Sequence, residues 1–324
     1  MADYLLTDEA LITGFRVFNE LVEKGDVLYS PLTITDFAHL FTESTEETER
    51  FLIHDEQARG FSAGCIEHTT GKAYITYIGV RPEYRNQGVG TELLRRLELI
   101  LRHHLQNKHL IEISFLNPCT LNWIVPGTPG HDHPNAPGVL TNSDAEQFFH
   151  SRGYEAYAIQ DSYYLNLEGY QVPDALLNKQ RELRHEGISF ETYDASRHVG
   201  MLELLVDLGS EQWKQEILTE TKKPDGGRPI LVPVRAGRVY GFTGPLDVQT
   251  SGRGYFAGIG VHRAKRGKGI AKVLFAHLCD DLKNMGAQYM TLFTGKSNPA
   301  RYIYEAAGFK VVSSWADMRK ECIE

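Results

Sequence analysis

The sequence lacks most of the features that identify metal-binding, secreted or membrane proteins. Its cysteines, Cys65, Cys119, Cys279 and Cys322, lie far apart and form no C-x-x-C pair, so neither a zinc site nor a disulfide framework is indicated. They are expected to be reduced thiols. No apolar stretch approaches the length of about 20 residues that a membrane span needs, and the N-terminus has no basic region followed by an apolar one. We therefore expect a cytoplasmic protein with no membrane partner and no bound metal.

Positive charge is not in excess either. The chain has 34 Lys and Arg against 42 Asp and Glu, a formal net charge of -8. This balance argues against a nucleic-acid partner and mildly favours cationic partners. With 324 residues the chain is longer than one typical core of roughly 100 to 200 residues, so two domains are expected.

An internal repeat is the most informative feature that is present. The stretch VRPEYRNQGVGTELL (80–94) aligns without a gap with VHRAKRGKGIAKVLF (261–275). The matched positions, each 181 residues apart (261 − 80), are Val80 and Val261, Arg85 and Arg266, Gly88 and Gly269, and Gly90 and Ala271. The sequence therefore indicates two copies of one structural unit.

The flanks of the two stretches predict the same order of elements. In the first half, alternating and apolar runs predict strands over RFLIHD, 58–67, 73–80 and 111–115, and helices over 91–105 and 144–154. In the second half they predict strands over 229–234, 239–248, 255–261 and 289–293, and helices over 272–286 and 298–309. Glycine and proline place a linker at 169–187, with a polar helix expected inside it, between domains at 1–168 and 188–324.

Each repeated stretch is a short glycine turn between a strand and a helix. Glycine permits tight backbone geometry, and the helix that follows begins with unpaired N–H groups and the positive end of its dipole. Such a turn can hold phosphate oxygens through the main chain. RNQGVG (85–90) is neither a Walker loop nor a G-x-G-x-x-G motif. On its own the turn is a weak signal, and the second copy strengthens it.

The residues of the turns resemble a known family. The run V-x-P-x-x-R-x-x-G-V-G (80–90) resembles the acetyl-CoA pyrophosphate loop of the GNAT superfamily of N-acetyltransferases, and the second copy is similar, with Arg263 where proline is usual. NPARYIYEAAGF (298–309) resembles the superfamily's last helix. The resemblance covers most of both halves. It implies an α/β (α+β) chain of two tandem GNAT-fold domains, each a mixed, splayed sheet flanked by helices.

The same resemblance implies acetyl-CoA as the bound group and assigns residues to it. Backbone groups beside the cofactor strand would hold the thioester and pantetheine arm, and the loops would hold the pyrophosphate. The implied binding residues are Ile78, Gly79, Val80, Arg85, Asn86, Gln87, Gly88, Val89 and Gly90 in the first half, and Ile259, Gly260, Val261, Arg266, Gly267, Lys268, Gly269, Ile270, Ala271 and Asn298 in the second.

The catalytic acid distinguishes the two halves. The superfamily commonly uses a tyrosine four residues before the glycine of the last helix, and this position is Tyr304 in the second half but Phe149 in the first. Tyr302 is a weaker candidate because two residues along a helix turn it to a different face. Basic residues are also denser around the second loop, at Arg263, Lys265, Arg266, Lys268 and Lys272, than around the first, at Arg81 and Arg85. The second domain is therefore expected to be catalytic and the first to be degenerate in catalysis.

The sequence leaves the general base and the acceptor open. Glu211, Glu216 and Asp247 are available carboxylates without a diagnostic spacing, and a chain of waters is an alternative. The acceptor is expected to be a primary amine, on a small molecule or a peptide. The competing interpretation is a noncatalytic acyl-CoA-binding or regulatory module. His131, Asp132 and His133 stand in a Pro/Gly-rich stretch (125–138) that we interpret as a loop, because no third metal ligand has a diagnostic spacing. The oligomeric state is not indicated.

Overall fold

The computed structural model describes residues 8–105, 110–115, 117–135, 138–223 and 226–321. Contacts within the chain divide it into two units. The first consists of Met1–Asp161 together with Ser313–Glu324, and the second of Ser162–Val312. Among the described residues, no helix combines the length and apolar character that crossing a membrane requires.

The first unit is a sheet with helices on its faces. Its elements are α1 (Asp8–Glu23), α2 (Ile34–Phe41), β1 (Thr48–His54), β2 (Gly60–Glu67), β3 (Lys72–Val80), α3 (Val89–His104), β4 (Leu110–Ile113), β5 (Trp123–Ile124), β6 (Asp132–His133), β7 (Val139–Leu140), α4 (Asp144–His150) and the start of β8 (Glu155–Asn166). Strands β1, β2 and β3 are antiparallel neighbours, and β4 runs parallel to β3.

The second unit follows the same plan. Its elements are α5 (Asp174–His185), β9 (Ser189–Thr192), α6 (Met201–Leu208), α7 (Glu211–Thr221), β10 (Leu231–Arg235), β11 (Arg238–Val239), β12 (Gly241–Val248), β13 (Gly254–Val261), α8 (Ile270–Asn284), β14 (Tyr289–Gly295), α9 (Arg301–Ala306) and the start of β15 (Lys310–Glu321). The strands are ordered β11-β10-β12-β13, with β9 also on β10, and the pairs of this sheet are antiparallel.

The units differ from the predicted domains, 1–168 and 188–324, at two strands. The division falls inside β8, between Asp161 and Ser162, and inside β15, between Val312 and Ser313. The end of β15 pairs with β4, with Met318 opposite Ile113, and so belongs to the sheet of the first unit. Residues 169–187, predicted to be a linker, carry α5 within the second unit.

Helical spacing of apolar residues explains where α3 and α8 pack. In α3 the buried side chains include Leu93, Leu97 and Leu101, at intervals of four residues, and they join the core of the first unit. In α8 the buried side chains include Leu274, Leu278 and Leu282 at the same interval. Each helix therefore covers one face of its sheet and follows the preceding strand after a short turn.

The predicted loop at 125–138 contains more regular structure than expected. Asp132 and His133 form β6, which pairs with β5. Among the described cysteines, Cys65, Cys119 and Cys279 are free and buried, while Cys322 lies outside the described residues.

The end of α7 is fixed by a buried carboxylate. Glu220 is 4% exposed and accepts hydrogen bonds from the backbone N–H of Arg228 at 3.0 Å and from its guanidinium at 2.7 and 3.0 Å. Burial alone would raise the pKa of Glu220, but the hydrogen bonds from Arg228 and Lys223 together lower it to about 2. The pair therefore holds α7 in place on the sheet.

We expect Glu220→Gln to lower the free energy of unfolding by on the order of 2 kcal/mol at pH 7, because Arg228 loses a charged acceptor. The folded-state pKa of Glu220 lies below its unfolded value of about 4.3, so the difference should be full above that pH and shrink as the pH falls towards 2. Urea denaturation from pH 7 to pH 3 measures it. Glu211→Gln is the control, since that side chain is 86% exposed beside Lys214. An equal loss in both variants would contradict the prediction.

Candidate functional site

The two glycine turns have the same backbone conformation. Each follows its strand with a single turn of 3₁₀ helix, Pro82–Tyr84 or Arg263–Lys265. The residue that caps the next helix is left-handed in both copies, Gly88 with φ 84° and Gly269 with φ 81°. A left-handed residue at this place turns successive N–H groups towards one point, and only glycine adopts it without strain.

The start of each helix is open to an anion. No side chain caps α3 or α8, so the N–H groups of the first turn are not taken by a side-chain oxygen. The positive end of the helix dipole lies at the same place. Both turns, 85–90 and 266–271, therefore have a backbone geometry that could hold a phosphate group.

The arginine of each turn has a structural role that the sequence did not indicate. Arg85 donates from Nε to the carbonyl of Val80 at 3.0 Å, and Arg266 makes the same bond to Val261 at 2.9 Å. Each guanidinium thus fastens its turn to the last residue of the strand before it. Its remaining N–H groups are what could contact a ligand.

Those remaining groups are engaged in the first turn. Arg85 forms an ion pair with Asp26, and Arg81 binds Glu20 at 2.7 and 2.9 Å. Gln87 donates to the carbonyl of Glu83 at 2.9 Å. The first turn therefore presents little uncompensated positive charge.

The second turn keeps more of its charge. Within the part of the chain that the structure describes, neither Arg266 nor Lys272 has a carboxylate partner. The ammonium group of Lys268 and the carboxylate of Glu186 are 3.8 Å apart, and both side chains are about half exposed, so this ion pair is weak. The ammonium group of Lys265 lies over the ring of Tyr240 at 4.7 Å. A ligand phosphate would meet a net positive surface here.

Beside each turn, the pairing of two parallel strands ends early. In the first unit β3 pairs with β4 only at Ala73 and Tyr74, and Ile78–Val80 lie beyond that contact. In the second unit a single bridge among the described residues, from Arg253 just before β13 to Tyr289 of β14, connects the two strands, and Ile259–Val261 lie beyond it. Within the part of the chain that the structure describes, no strand pairs with this edge of β3 or β13 over the residues predicted to hold the pantetheine arm.

In the first unit, a following chain segment lines a cleft. The small cavity where β3 and β4 separate is bounded by Thr76 and Ser114 and by Asn117, Cys119 and Leu121. Cys119 is 3% and Leu121 is 6% exposed, and both belong to a hydrophobic cluster with Tyr77. Residues 117–121 therefore occupy space beside the parted strands of the first unit.

Tyr304 lies on α9 and points into the core of the second unit. It is 9% exposed, and its ring packs against Phe275 at 5.0 Å and Tyr163 at 6.0 Å. Burial raises the pKa of Tyr304 above its ordinary value of about 10, so the phenol keeps its proton at neutral pH. Its hydroxyl makes no hydrogen bond within the described residues.

Phe149 and Tyr302, the two residues compared with Tyr304, have the burial and exposure that the helical spacing predicts. Phe149, at the matching position of the first unit, is buried and packs against Tyr154 at 5.4 Å. Tyr302 is 51% exposed, and its hydroxyl accepts from Arg301 at 3.1 Å. Asn298 accepts from the N–H of Ala300 at 3.0 Å and so orders the start of α9.

The candidate carboxylates lie in different settings. Glu211 is on the surface beside Lys214, while Glu216 and Asp247 both face Arg228, at 3.4 and 3.6 Å. Tyr255, on β13, lies with its hydroxyl 3.5 Å from Glu216. Asp247 lies on β12 opposite Tyr255, and Glu216 reaches β13 from α7 through the hydroxyl of Tyr255, so the structure brings both carboxylates next to β13.

A tryptophan fills the place of a missing side chain on β13. Gly258 corresponds to Tyr77 of the first unit, and a β-carbon on Gly258 would lie 2.5 Å from Nε1 of Trp213. Trp213 comes from α7 and packs against Phe242 at 5.7 Å, as Tyr77 packs against the matching Phe61 at 5.0 Å. The only sequence signal was a glycine where the other copy has an aromatic residue.

The family comparison is consistent with this geometry. The model of the Acetyltransferase (GNAT) family matches residues 16–118 and 160–309. The chain belongs to the GNAT acetyltransferase family. Its members carry out acyl transfer, and the prediction of two tandem GNAT-fold domains is confirmed by the two matched regions. No curated protein sequence matches the chain.

Solved structures with the same fold cover nearly the whole chain. A GCN5-related N-acetyltransferase from Sphaerobacter thermophilus matches with TM-score 0.61 and 17% identity over 97% of this chain and 94% of its own. A tandem GNAT protein from the clavulanic acid biosynthesis pathway, solved without AcCoA, matches with TM-score 0.58 and 15% identity over 98% and 97%.

A third match is to part of a longer protein. It is a GCN5-related glucosamine N-acetyltransferase region in a fungal multi-domain GH3 β-N-acetylglucosaminidase, with TM-score 0.64 and 18% identity. The match covers 96% of this GNAT chain but 37% of the fungal one. At these identities the likeness is one of fold.

Proposed function

We propose that this protein is an N-acetyltransferase that uses acetyl-CoA and a primary amine, and that its second half carries out the reaction. The observation that carries the proposal is a combination of three features in this half: a glycine turn whose Arg266 has no carboxylate partner among the described residues, a parted strand pair, and the buried phenol of Tyr304. The first half has the turn and the parted strands but Phe149 in place of the phenol.

The residues of the second half fit the donor. The N–H groups that follow Gly269, with Arg266 and Lys268 beside them, would hold its pyrophosphate, and the free edge at Ile259–Val261 would hold the pantetheine arm. Bound there, the donor supplies an acyl group on a thioester. The chain's part is to fix this group, to exclude water from it, and to place a proton donor near the sulfur.

Tyr304 is the proposed general acid. When the neutral amine attacks the carbonyl carbon, a carbon–nitrogen bond forms and the carbon–sulfur bond breaks, and the sulfur leaves as a thiolate unless it is protonated. A phenol whose pKa is raised by burial holds its proton at neutral pH and can give it to that sulfur. The amine nitrogen loses its extra proton to the base.

Glu216 and Tyr255 are the proposed groups at the acceptor end. An amine of pKa about 10.4 is neutral in only about one molecule in 2,500 at pH 7, so a carboxylate that accepts its proton would raise the reactive fraction. Glu216 accepts a hydrogen bond from the hydroxyl of Tyr255 on β13 at 3.5 Å. A chain of waters could connect it to the amine, on a small molecule or a peptide.

The first half is proposed to act as a partner domain. Phe149 has no proton to give, Arg81 and Arg85 are neutralised by ion pairs, and residues 117–121 line its cleft. These observations support a noncatalytic copy of the fold. They also support, for this half, the alternative function of an acyl-CoA-binding or regulatory module.

A replacement of Tyr304 by Phe should lower kcat by on the order of 10²-fold while acetyl-CoA binding is kept, because only the proton donor is lost. Tyr302→Phe, on the exposed side of the same helix, should leave turnover unchanged. Steady-state kinetics with an authentic amine and calorimetry with acetyl-CoA give the two quantities. Full turnover in Tyr304→Phe would remove the residue from the mechanism.

A valine at position 269 should weaken acetyl-CoA binding at least tenfold, since the left-handed backbone of the turn disfavours a β-branched residue and its β-carbon would meet Lys179. Gly88→Val is the matched control, as it places the same strain in the first turn, where no atom of the described residues lies within 4 Å of a β-carbon. Calorimetry of both variants decides between the two turns. Tight binding in Gly269→Val, or loss of binding only in Gly88→Val, would refute the assignment.

Release of free thiol from acetyl-CoA should depend on the amine when the protein is given a panel of primary amines. The panel should include α-amines of pKa about 7.8, in which about one molecule in seven is neutral at pH 7, beside lysine-like amines. Slow release that no amine accelerates would favour the acyl-CoA-binding module over the enzyme.

A further inference from the structure

Helix α5 lies against the start of α8. Leu183 of α5 is fully buried, and it shares a hydrophobic cluster with Ile270 and Val273 of α8 and with Val261, the last residue of β13. This cluster lies on one side of the second glycine turn. Helix α5, which falls within the predicted linker, therefore borders the proposed donor site.

One side chain of α5 lies directly over the turn. A β-carbon on Gly269 would be 3.0 Å from Cε and 3.2 Å from Cγ of Lys179. The ammonium group is one covalent bond beyond Cε. Lys179 therefore carries its charge beside the residue that caps α8, where the N–H groups of the proposed pyrophosphate site begin.

The first turn has no such neighbour. Gly88 has the same left-handed conformation, and no atom of the described residues lies within 4 Å of the position of its β-carbon. The two copies agree in backbone and differ in what covers it. Lys179 thus distinguishes the second turn from the first.

The ion pair between Lys179 and Glu182 is weak enough for a ligand to replace it. Its Nζ is 2.7 Å from Glu182, one turn further along α5, and the side chains are 34% and 63% exposed. Such ion pairs contribute little to stability because water screens them and both side chains lose freedom. A phosphate, with more charge and several acceptor oxygens, can compete for the ammonium.

We propose that Lys179 is a phosphate-binding residue of the second half and exchanges Glu182 for a phosphate of the bound donor. The inference rests on the proposed function, since it takes coenzyme A as the ligand. It makes α5 a part of the binding site, and it assigns to Glu182 the role of holding the ammonium until the ligand arrives.

Calorimetry with acetyl-CoA on the full chain tests the inference. Lys179→Gln should weaken binding roughly tenfold in about 0.1 M salt, with a smaller effect at 0.5 M salt, where charges are screened. Arg181→Gln removes an exposed cation from the same helix, where it contacts Asn178, and should change affinity less than twofold. Equal affinities for Lys179→Gln and the wild type would overturn the inference.

A second variant tests the exchange of partners. Glu182→Gln frees Lys179 without removing it and should bind acetyl-CoA as tightly as the wild type or more tightly. Weaker binding in Glu182→Gln would overturn the exchange. Coenzyme A and its form without the 3′-phosphate identify the group contacted: a Lys179→Gln penalty that persists without this phosphate assigns the pyrophosphate, and a penalty that disappears assigns the 3′-phosphate.

The failure of this inference is distinguishable from failure of the proposed function. If the wild type does not bind acetyl-CoA, or Gly269→Val binds it normally, the proposed site itself is wrong. If the wild type binds, Gly269→Val does not, and Lys179→Gln binds normally, only the role of Lys179 is wrong. Melting temperatures of all variants within a few degrees of the wild type keep misfolding out of the comparison.

Discussion

The parting of β14 from β13 is the constraint on which the rest of the second unit depends. After the bridge between Arg253 and Tyr289 the strands share no ladder within the described residues, so this edge of β13 has no strand partner there. Buried Arg253 donates to the carbonyl of Thr291 at 3.3 Å and supplies part of the hydrogen bonding that a ladder would give. An unpaired strand edge is costly to bury, so such an opening is stable where water or a ligand meets the edge. The turn at Gly269 and the phenol of Tyr304 belong to the same unit as this opening.

Two copies of one plan have diverged at side chains while keeping the backbone. The turns at Gly88 and Gly269 have nearly the same φ, and each arginine fastens its turn to the strand before it. The positions that would meet a ligand differ. Ion pairs neutralise the first turn, and an aromatic core residue, Phe149, takes the place of Tyr304. Packing by itself preserves apolar residues and left-handed glycines, so a copy that neither binds nor reacts, as we propose for the first half, can keep the fold.

The sequence was sufficient for features that depend on local pattern. The repeat at an offset of 181 residues, the strands at 73–80 and 255–261, and the spacing of Tyr304 from Gly308 all follow from short stretches, and the structure has them. Features that depend on distant contacts were not predictable. Nothing local indicates that Lys179 lies over Gly269, that Trp213 fills the space at Gly258, or that Arg85 pairs with Asp26. The role of each of these residues is set by a partner remote in the chain or on another element.

The path of β15 has a consequence for how the protein is made. Met318 pairs with Ile113, 205 residues earlier (318 − 113), and the whole second unit, Ser162–Val312, lies between them in the sequence. Contacts between such distant positions form slowly because a long loop must close first. During synthesis, β4 of the first unit stays exposed on one edge until β15 has been made. The sheet of the first unit is therefore completed only after the second unit has been translated, and until then the unpaired edge of β4 is open to wrong pairing.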